Sequence, residues 1–261
     1  MNAKAQGRAR ALVTGGRRGI GRGIAYAFAE RGYDVVINDL VDDDATRETL
    51  SGIAERGAKG AFVQADVADL DGHARLLATA HAAFGGVDVL VNNAGVSVRE
   101  RGDILEVTPE SFDRLIGINL RAPFFLTQAI ARSWLAEPAS SPHRRSIITI
   151  SSANVEVLGL NRAEYCLAKT ALPMMTKLFA VRLAESDIGV FEIRPGIIRT
   201  DMTAVAKDRY DKLIEEGLTP IRRWGEPSDV GRAAVALASG AFAFCVGEAI
   251  HVDGGLTLQQ L

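Results

Sequence analysis

A doubly wound α/β sheet is the fold this sequence predicts, and three observations predict it. Short β-branched runs alternate with longer helical patterns from one end of the chain to the other. A glycine-rich turn, TGGRRGIG at 14–21, joins the first such run to the first helical stretch. No composition break, repeat or low-complexity linker divides the 261 residues, so a single domain accounts for them. Apolar strand runs separated by amphipathic helices require a parallel sheet covered on both faces. Right-handed crossovers then make it a Rossmann-like sheet of about seven strands.

The elements follow in order. ALVT (11–14) precedes a helix near 19–31, and VVIND (35–39) precedes one near 44–56. AFVQAD (61–66) leads to a helix near 70–84, followed by VDVLVNNAG (87–95). Helices over roughly 110–136 lead to SIITISS (146–152) and a long helix from about 163 to 185. GVFEIRPG (189–196) and EAIHVDGG (248–255) supply the last strands. The nucleotide half is expected over about 8–120 and the catalytic and substrate part over about 121–261. Two inserts interrupt the pattern. AEPASSPHRR (136–145) reads as an exposed loop, and 198–226 as a lid beyond the carboxyl edge of the sheet.

Composition excludes several classes. A net charge of -2 offers no basic field to nucleic acid or to an anionic membrane. No segment approaches the roughly 20 apolar residues of a membrane span, and the first residues lack a secretory apolar stretch, so a soluble, cytoplasmic protein is expected. The two cysteines, Cys166 and Cys245, have no metal-ligand spacing, so no metal site and no disulfide framework is expected. Cys166 reads as a packing residue.

The glycine turn carries the first chemistry. Gly15, Gly19 and Gly21, with Ile20 between the last two, let the backbone turn tightly and approach a pyrophosphate. The following helix presents free N–H groups and the positive end of its dipole. The spacing is Gly-x-x-x-Gly-x-Gly, not the common dinucleotide fingerprint, and no Gly-Lys-Ser/Thr follows to make a P-loop. A glycine turn without a ligand is the bland alternative. Asp39, at the end of the second strand, can accept hydrogen bonds from both adenosine ribose hydroxyls and would repel a 2′-phosphate. It points to NAD(H). Arg18 points the other way, toward a 2′-phosphate and NADP(H).

Tyr165 and Lys169 carry the second. A spacing of four puts phenol and ammonium on one helix face, where the ammonium favours the phenolate and makes the phenol a general acid or base. The pair alone is a weak signal. With TGGRRGIG, NNAG at 92–95 and Ser152 upstream, the chain resembles the classical short-chain dehydrogenase/reductase family, over essentially its whole length. Among its members it is most similar to bacterial proteins labelled 3-ketoacyl-acyl-carrier-protein reductase.

The resemblance implies roles at matching positions. Tyr165 would exchange the proton with the substrate. Lys169 would lower its pKa and bind the nicotinamide ribose, Ser152 would hold the substrate oxygen, and Asn119 would hold a relay water. Asp66 and Val67 would meet the adenine. Asn92, Ala94 and Gly95 would wall the adenosine ribose, Pro195 and Gly196 would pass close to the nicotinamide, and Ile198 and Thr200 would bind its carboxamide. A homotetramer is also implied, with a homodimer as the fallback.

The substrate pocket is read from the segment between Ser152 and Tyr165. Asn154, Glu156, Asn161 and Arg162 make it more polar than a steroid or long-chain pocket needs. Arg99 and Arg101 follow NNAG and are candidates for a carboxylate or phosphate, or plain solvated charges. Arg222, Arg223 and Trp224 close the lid. The expectation is an NAD(H)-dependent oxidoreductase acting on a small-molecule secondary alcohol or ketone. Its rivals are an NADPH-dependent 3-oxoacyl-[acyl-carrier-protein] reductase and, in another class, a non-catalytic dinucleotide sensor.

Overall fold

The structure, a computed structural model, describes residues 7–137, 141–204 and 206–258. Its seven strands are β1 (Arg10–Thr14), β2 (Asp34–Asp39), β3 (Gly60–Gln64), β4 (Val89–Asn92), β5 (Ser146–Ile150), β6 (Gly189–Pro195) and β7 (Ala249–Val252). They form one sheet in the order 3-2-1-4-5-6-7, and every neighbouring pair is parallel. The helices are α1 (Gly19–Glu30), α2 (Asp44–Glu55), α3 (His73–Phe84), α4 (Pro109–Ile116), α5 (Ala122–Ala136), α6 (Ala163–Leu183), α7 (Asp201–Ala204), α8 (Lys207–Glu215) and α9 (Pro227–Ala238).

Strand parity divides the core. Ala11 and Val13 of β1 face one side with Ile148 and Ile150 of β5, against Ile24 and Phe28 of α1 and Val230 and Ala234 of α9. Leu12 and Ile147 face the other, against Leu76 of α3, Leu126 and Ile130 of α5 and Leu183 of α6. The period-2 pleat therefore feeds two cores from each strand, which is why the strand runs read as continuously apolar.

Expected boundaries differ from observed ones where the chain leaves the sheet to build the crevice. The run 87–95 narrows to β4 at Asn92, and 146–152 ends as β5 at Ile150. The stretch 110–136 is not one regular helix, because a π-helical turn, Gly117–Arg121, separates α4 from α5. Such turns widen a helix locally and recur at functional sites. The order reverses between β1 and β4, so a crevice opens at their carboxyl ends. The segment 198–226 carries α7 and α8 and begins beside that crevice, with Ile198 bridged to Gly225. Part of the expected loop 136–145 lies outside the described residues. No helix among the described residues is long and apolar enough to cross a membrane.

Candidate active site

The glycine turn lies at the carboxyl end of β1. Gly15 and Gly19 both take positive φ, +61° and +56°, a region that favours glycine. Gly21 packs so closely on the turn that a Cβ there would stand 2.0 Å from the Gly15 carbonyl oxygen. The first turn of α1 has no side-chain cap and no acidic residue, so its N–H groups stay free for an anion. The turn has the shape and the donors that a dinucleotide pyrophosphate requires.

At the end of β2, Asp39 accepts from the Leu40 N–H (2.8 Å) and stands 3.7 Å from Arg17 Nε. Arg17 also pairs with Asp43. Arg18, expected to look toward a 2′-phosphate, instead pairs with Asp201 of the lid at 3.1 Å. The physical reason is local: the backbone at Arg18 is extended (φ -154°, ψ 177°), so adjacent side chains leave it on opposite sides. Asp66 is exposed and accepts from the Ala68 N–H, while Val67 is buried.

NNAG divides its labour. Asn92 is buried and donates to Thr127 Oγ1 of α5 (2.8 Å), so it faces the core rather than a ribose. Asn93 donates to the carbonyls of Thr14 (2.8 Å) and Gly15 (3.0 Å) and thereby fixes the glycine turn. Thr14 Oγ1 accepts from the N–H groups of Asn93 and Ala94, both at 3.0 Å. Sequence reasoning missed Thr14, Asn93 and Arg17, although all three sit inside motifs it singled out. Gly95 brings the turn to Asn119 and Lys169: a Cβ there would lie 3.0 Å from Asn119 Oδ1 and 3.6 Å from Lys169 Nζ.

Asn119 lies in the π-helical turn. Its Nδ2 donates to the Val96 carbonyl (2.9 Å) and its Oδ1 accepts from the Val96 N–H (2.8 Å). The amide is engaged at both ends, and its visible work is to hold the NNAG turn in place. That differs from the expected grip on a water.

Ser152, Tyr165 and Lys169 converge at the carboxyl end of β5. Ser152 Oγ accepts from the Asn154 N–H (3.1 Å), capping a short 3-10 turn. The adjacent Ser151 turns away, donating to Glu192 Oε1 at 2.5 Å, which leaves Ser152 as the serine beside Tyr165. Lys169 Nζ lies 5.9 Å from the Tyr165 ring centre and donates to the Ile150 carbonyl (2.9 Å). Burial lowers the Lys169 ammonium to about 8, opposed by the charge of Glu192. Burial also pushes the Tyr165 phenol above its ordinary value, with the Ser152 hydroxyl and the Arg162 charge pulling the other way. The direction is opposite to the depression expected from Lys169, because desolvation of the phenol is the largest influence on it. Glu192 is a buried carboxylate on β6 that the sequence reading did not single out, although a charge inside an apolar strand run was a visible signal.

Pro195 and Gly196 close β6, and a Cβ at Gly196 would press on Asp253 Cα at 2.6 Å. Ile198 is buried, and the Thr200 methyl is the nearest neighbour of Gly19, so the lid begins over the glycine turn. Trp224 packs against Tyr210 and donates to Asp211 Oδ1 (2.6 Å), and Arg223 pairs with Asp229. Asn154 donates to the Val157 carbonyl and Glu156 pairs with Arg194, so both are partly spent within the substrate segment. Cys166 is half-buried beside Gly159.

Comparison with known proteins places this architecture. Residues 15–257 match the family model described as enoyl-(acyl carrier protein) reductase. A 3-oxoacyl-[acyl-carrier protein] reductase from Brucella melitensis, solved in complex with NAD, is 48% identical, with a TM-score of 0.94 over 98% of this chain and 100% of that one. The 2-dehydro-3-deoxy-D-gluconate 5-dehydrogenase of Dickeya dadantii is 35% identical over 94% of both chains. A structure from Agrobacterium tumefaciens with bound NADP is 33% identical, with a TM-score of 0.86 over 98% of each chain. With matches over nearly its whole length, the chain belongs to the short-chain dehydrogenase/reductase family and is an oxidoreductase of the NAD(P)-using kind.

Proposed function

We propose that this protein is an NAD(H)-dependent oxidoreductase that interconverts a secondary alcohol and a ketone, with Tyr165, Lys169 and Ser152 acting at the substrate oxygen. The observation that carries the reading is the meeting of those three side chains at the carboxyl end of β5, beside the NNAG turn and the glycine turn. When bound, the dinucleotide supplies the hydride donor or acceptor. Tyr165 gives its phenolic proton to the ketone oxygen in reduction and takes it back in oxidation. Ser152 donates a hydrogen bond to that oxygen as charge develops on it. Lys169 supplies the positive charge that offsets the developing phenolate and holds the nicotinamide ribose. Asn119 acts as a positioning residue through Val96 and Gly95.

The remaining contacts divide between the two ends of the cofactor. Gly15, Gly19, Ile20 and Gly21 would hold the pyrophosphate, and Asp39, Asp66, Val67 and Ala94 the adenosine. Pro195, Gly196, Ile198 and Thr200 would border the nicotinamide. NAD(H) is favoured because Arg17 is already bracketed by Asp39 and Asp43, leaving that end net negative. Each unit-charge repulsion against a 2′-phosphate is worth roughly 4 kcal/mol at 4 Å and an effective dielectric of 20, before screening. The 3-oxoacyl-[acyl-carrier-protein] reductase reading is favoured by relatives of that name from Brucella melitensis and Staphylococcus, although the Brucella protein was solved with NAD and so lends no weight to NADPH. Assembly into a homotetramer belongs to the same reading.

Tyr165→Phe tests the core of it. Turnover of NADH with a generic diketone should fall by about 10²–10⁴-fold while dinucleotide affinity stays near wild type, since only the transferable proton is removed. Retention of more than about a tenth of wild-type kcat would reject Tyr165 as the acid or base.

A further inference from the structure

Among the described residues, three arginines have no acid to meet them: one stands beside Tyr165 and two lie at the loop that follows NNAG. Arg162 precedes α6, with its guanidinium carbon 5.9 Å over the Tyr165 ring centre. Its Nε is buried and has no hydrogen-bond partner. The side chain is seated on Gly159, where a Cβ would stand 2.5 Å from that nitrogen. Arg114, on α4, is half-buried and donates to the Ser97 carbonyl (3.1 Å), just beyond NNAG. Burial and the charge of Arg99 hold its guanidinium below its ordinary pKa. Arg99 itself is exposed on the same loop.

Among the described residues, no carboxylate oxygen lies within 4.0 Å of these three guanidinium groups. The acid adjacent to Tyr165, Glu164, is buried and accepts from Ser111 Oγ (2.6 Å). Other desolvated guanidiniums meet acids, Arg10 with Asp88, Arg17 with Asp39 and Asp43, Arg194 with Glu192, while Arg145 is held by the carbonyls of Trp134 and Glu137. A guanidinium taken partly out of water and left without a counterion is costly, and an incoming anion removes that cost. With Nε turned onto Gly159, a carboxylate fits the outer end of the guanidinium, its two oxygens meeting the two terminal nitrogens in parallel.

We propose that the substrate carries a carboxylate, which Arg162 receives while the reacting carbinol or carbonyl meets Tyr165, with Arg99 and Arg114 drawing the anion in. The inference rests on the oxidoreductase reading of the same site and names its substrate class. Because Arg162 lies directly over the Tyr165 ring, anion and reacting carbon must be close together. That geometry describes a compact hydroxy acid or keto acid, not a neutral acyl thioester.

The test uses the full chain loaded with NADH and a panel of hydroxy acids of two to six carbons, each measured by titration calorimetry against its own primary amide. The expected result is at least one acid binding tenfold or more tightly than its amide. In Arg162→Met that ratio should collapse to near one, and Arg162→Lys should restore part of it, which a merely misfolded variant would not. Equal binding of every acid and amide by wild type overturns the proposal, as does a ratio that survives Arg162→Met. A phosphorylated counterpart binding tenfold more tightly than the carboxylate overturns the choice of anion. NADH oxidation with a neutral diketone separates the two readings. A wild type that turns over the diketone but ignores the carboxylate loses only the anion site. A wild type inert with every ketone yet keeping the acid–amide gap loses only the oxidoreductase.

Discussion

Lys169 concentrates the physical tension of this site. It is 5% exposed, its ammonium sits on the Ile150 carbonyl, and burial lowers it from 10.5 to about 8. Between those values the unfolded chain binds more protons than the folded one, so stability rises with pH across the interval. The contribution is fully present above pH 10.5 and is lost as pH falls through about 8. Its size is roughly 3 kcal/mol, at 1.36 kcal/mol for each pKa unit. Lys169→Met should therefore melt at or above the wild-type temperature at pH 7 in ligand-free protein, while losing turnover and cofactor affinity. The advantage should vanish by pH 10.5, and a stability difference independent of pH would mean the ammonium is not desolvated. At the other end of the crevice, Asp39→Ala should raise kcat/KM with NADP relative to NAD, because it frees Arg17 of one carboxylate. A wild type already preferring NADPH by tenfold, about 1.4 kcal/mol, would reverse the ranking of Asp39 over the neighbouring arginines. The sequence exposed the acid through its place at the end of the second strand, and the lysine through its spacing from Tyr165 together with the family resemblance. It did not expose which of two adjacent arginines faces Asp39, since that depends on the extended backbone at Arg18.

At the scale of elements, the glycine turn and the π-helical turn do the positioning. The N–H groups of α1 are free only while Gly21 lies against the Gly15 carbonyl. Gly21→Ala forces a Cβ into that 2.0 Å gap, which the backbone must open. Overpacking of this kind costs about 1–3 kcal/mol. The variant should melt several degrees lower, and its NAD Kd, read by fluorescence titration of NADH displacement, should rise at least tenfold. An unchanged Kd would show that the turn does not hold the pyrophosphate. Strand and helix positions were legible from periodicity to within a few residues, as for 35–39 against β2 (Asp34–Asp39). The break at Gly117–Arg121 was not, because IGINL has the apolar spacing of an ordinary helix. Only its packing between α4, α5 and α6 selects the wider turn.

At the scale of the whole molecule, the long helices remain unfinished. Met174, Leu178 and Val181 of α6 are each more than half exposed, as is Leu167 about two turns before Met174. Phe125 and Leu135 of α5 are also exposed. A helix apolar beyond its core stripe buries the surplus against another surface, and a pair of such helices supplies a self-complementary contact. Exposed Phe244, Val246 and Leu258 near the C-terminus offer a second. Light scattering at micromolar concentration should report about four times the 27.9 kDa of one chain. Two chains would fit the dimer fallback, and a single-chain mass would rule out both. Leu178→Glu should then lower the assembly state, because a buried like-charge pair across a two-fold contact is costly.

Ser152 joined the reading through a family resemblance; by itself the sequence determined the order of strands and helices, the single domain, the glycine turn and the shared helix face of Tyr165 and Lys169. These rest on short-range chemistry: pleat period, helical spacing, glycine sterics and side-chain type, each readable within a few residues. The tertiary structure decided how residues far apart in the chain share one dry crevice. It turned Asn92 into the core and Asn93 onto the glycine turn, engaged Asn119 on Val96, and set Arg17 against Asp39. It also raised the phenol of Tyr165 and lowered the ammonium of Lys169, through a desolvation that no spacing of residues encodes. Burial and electrostatics are properties of the packed molecule, and they exist only once β5, β6 and α6 have met.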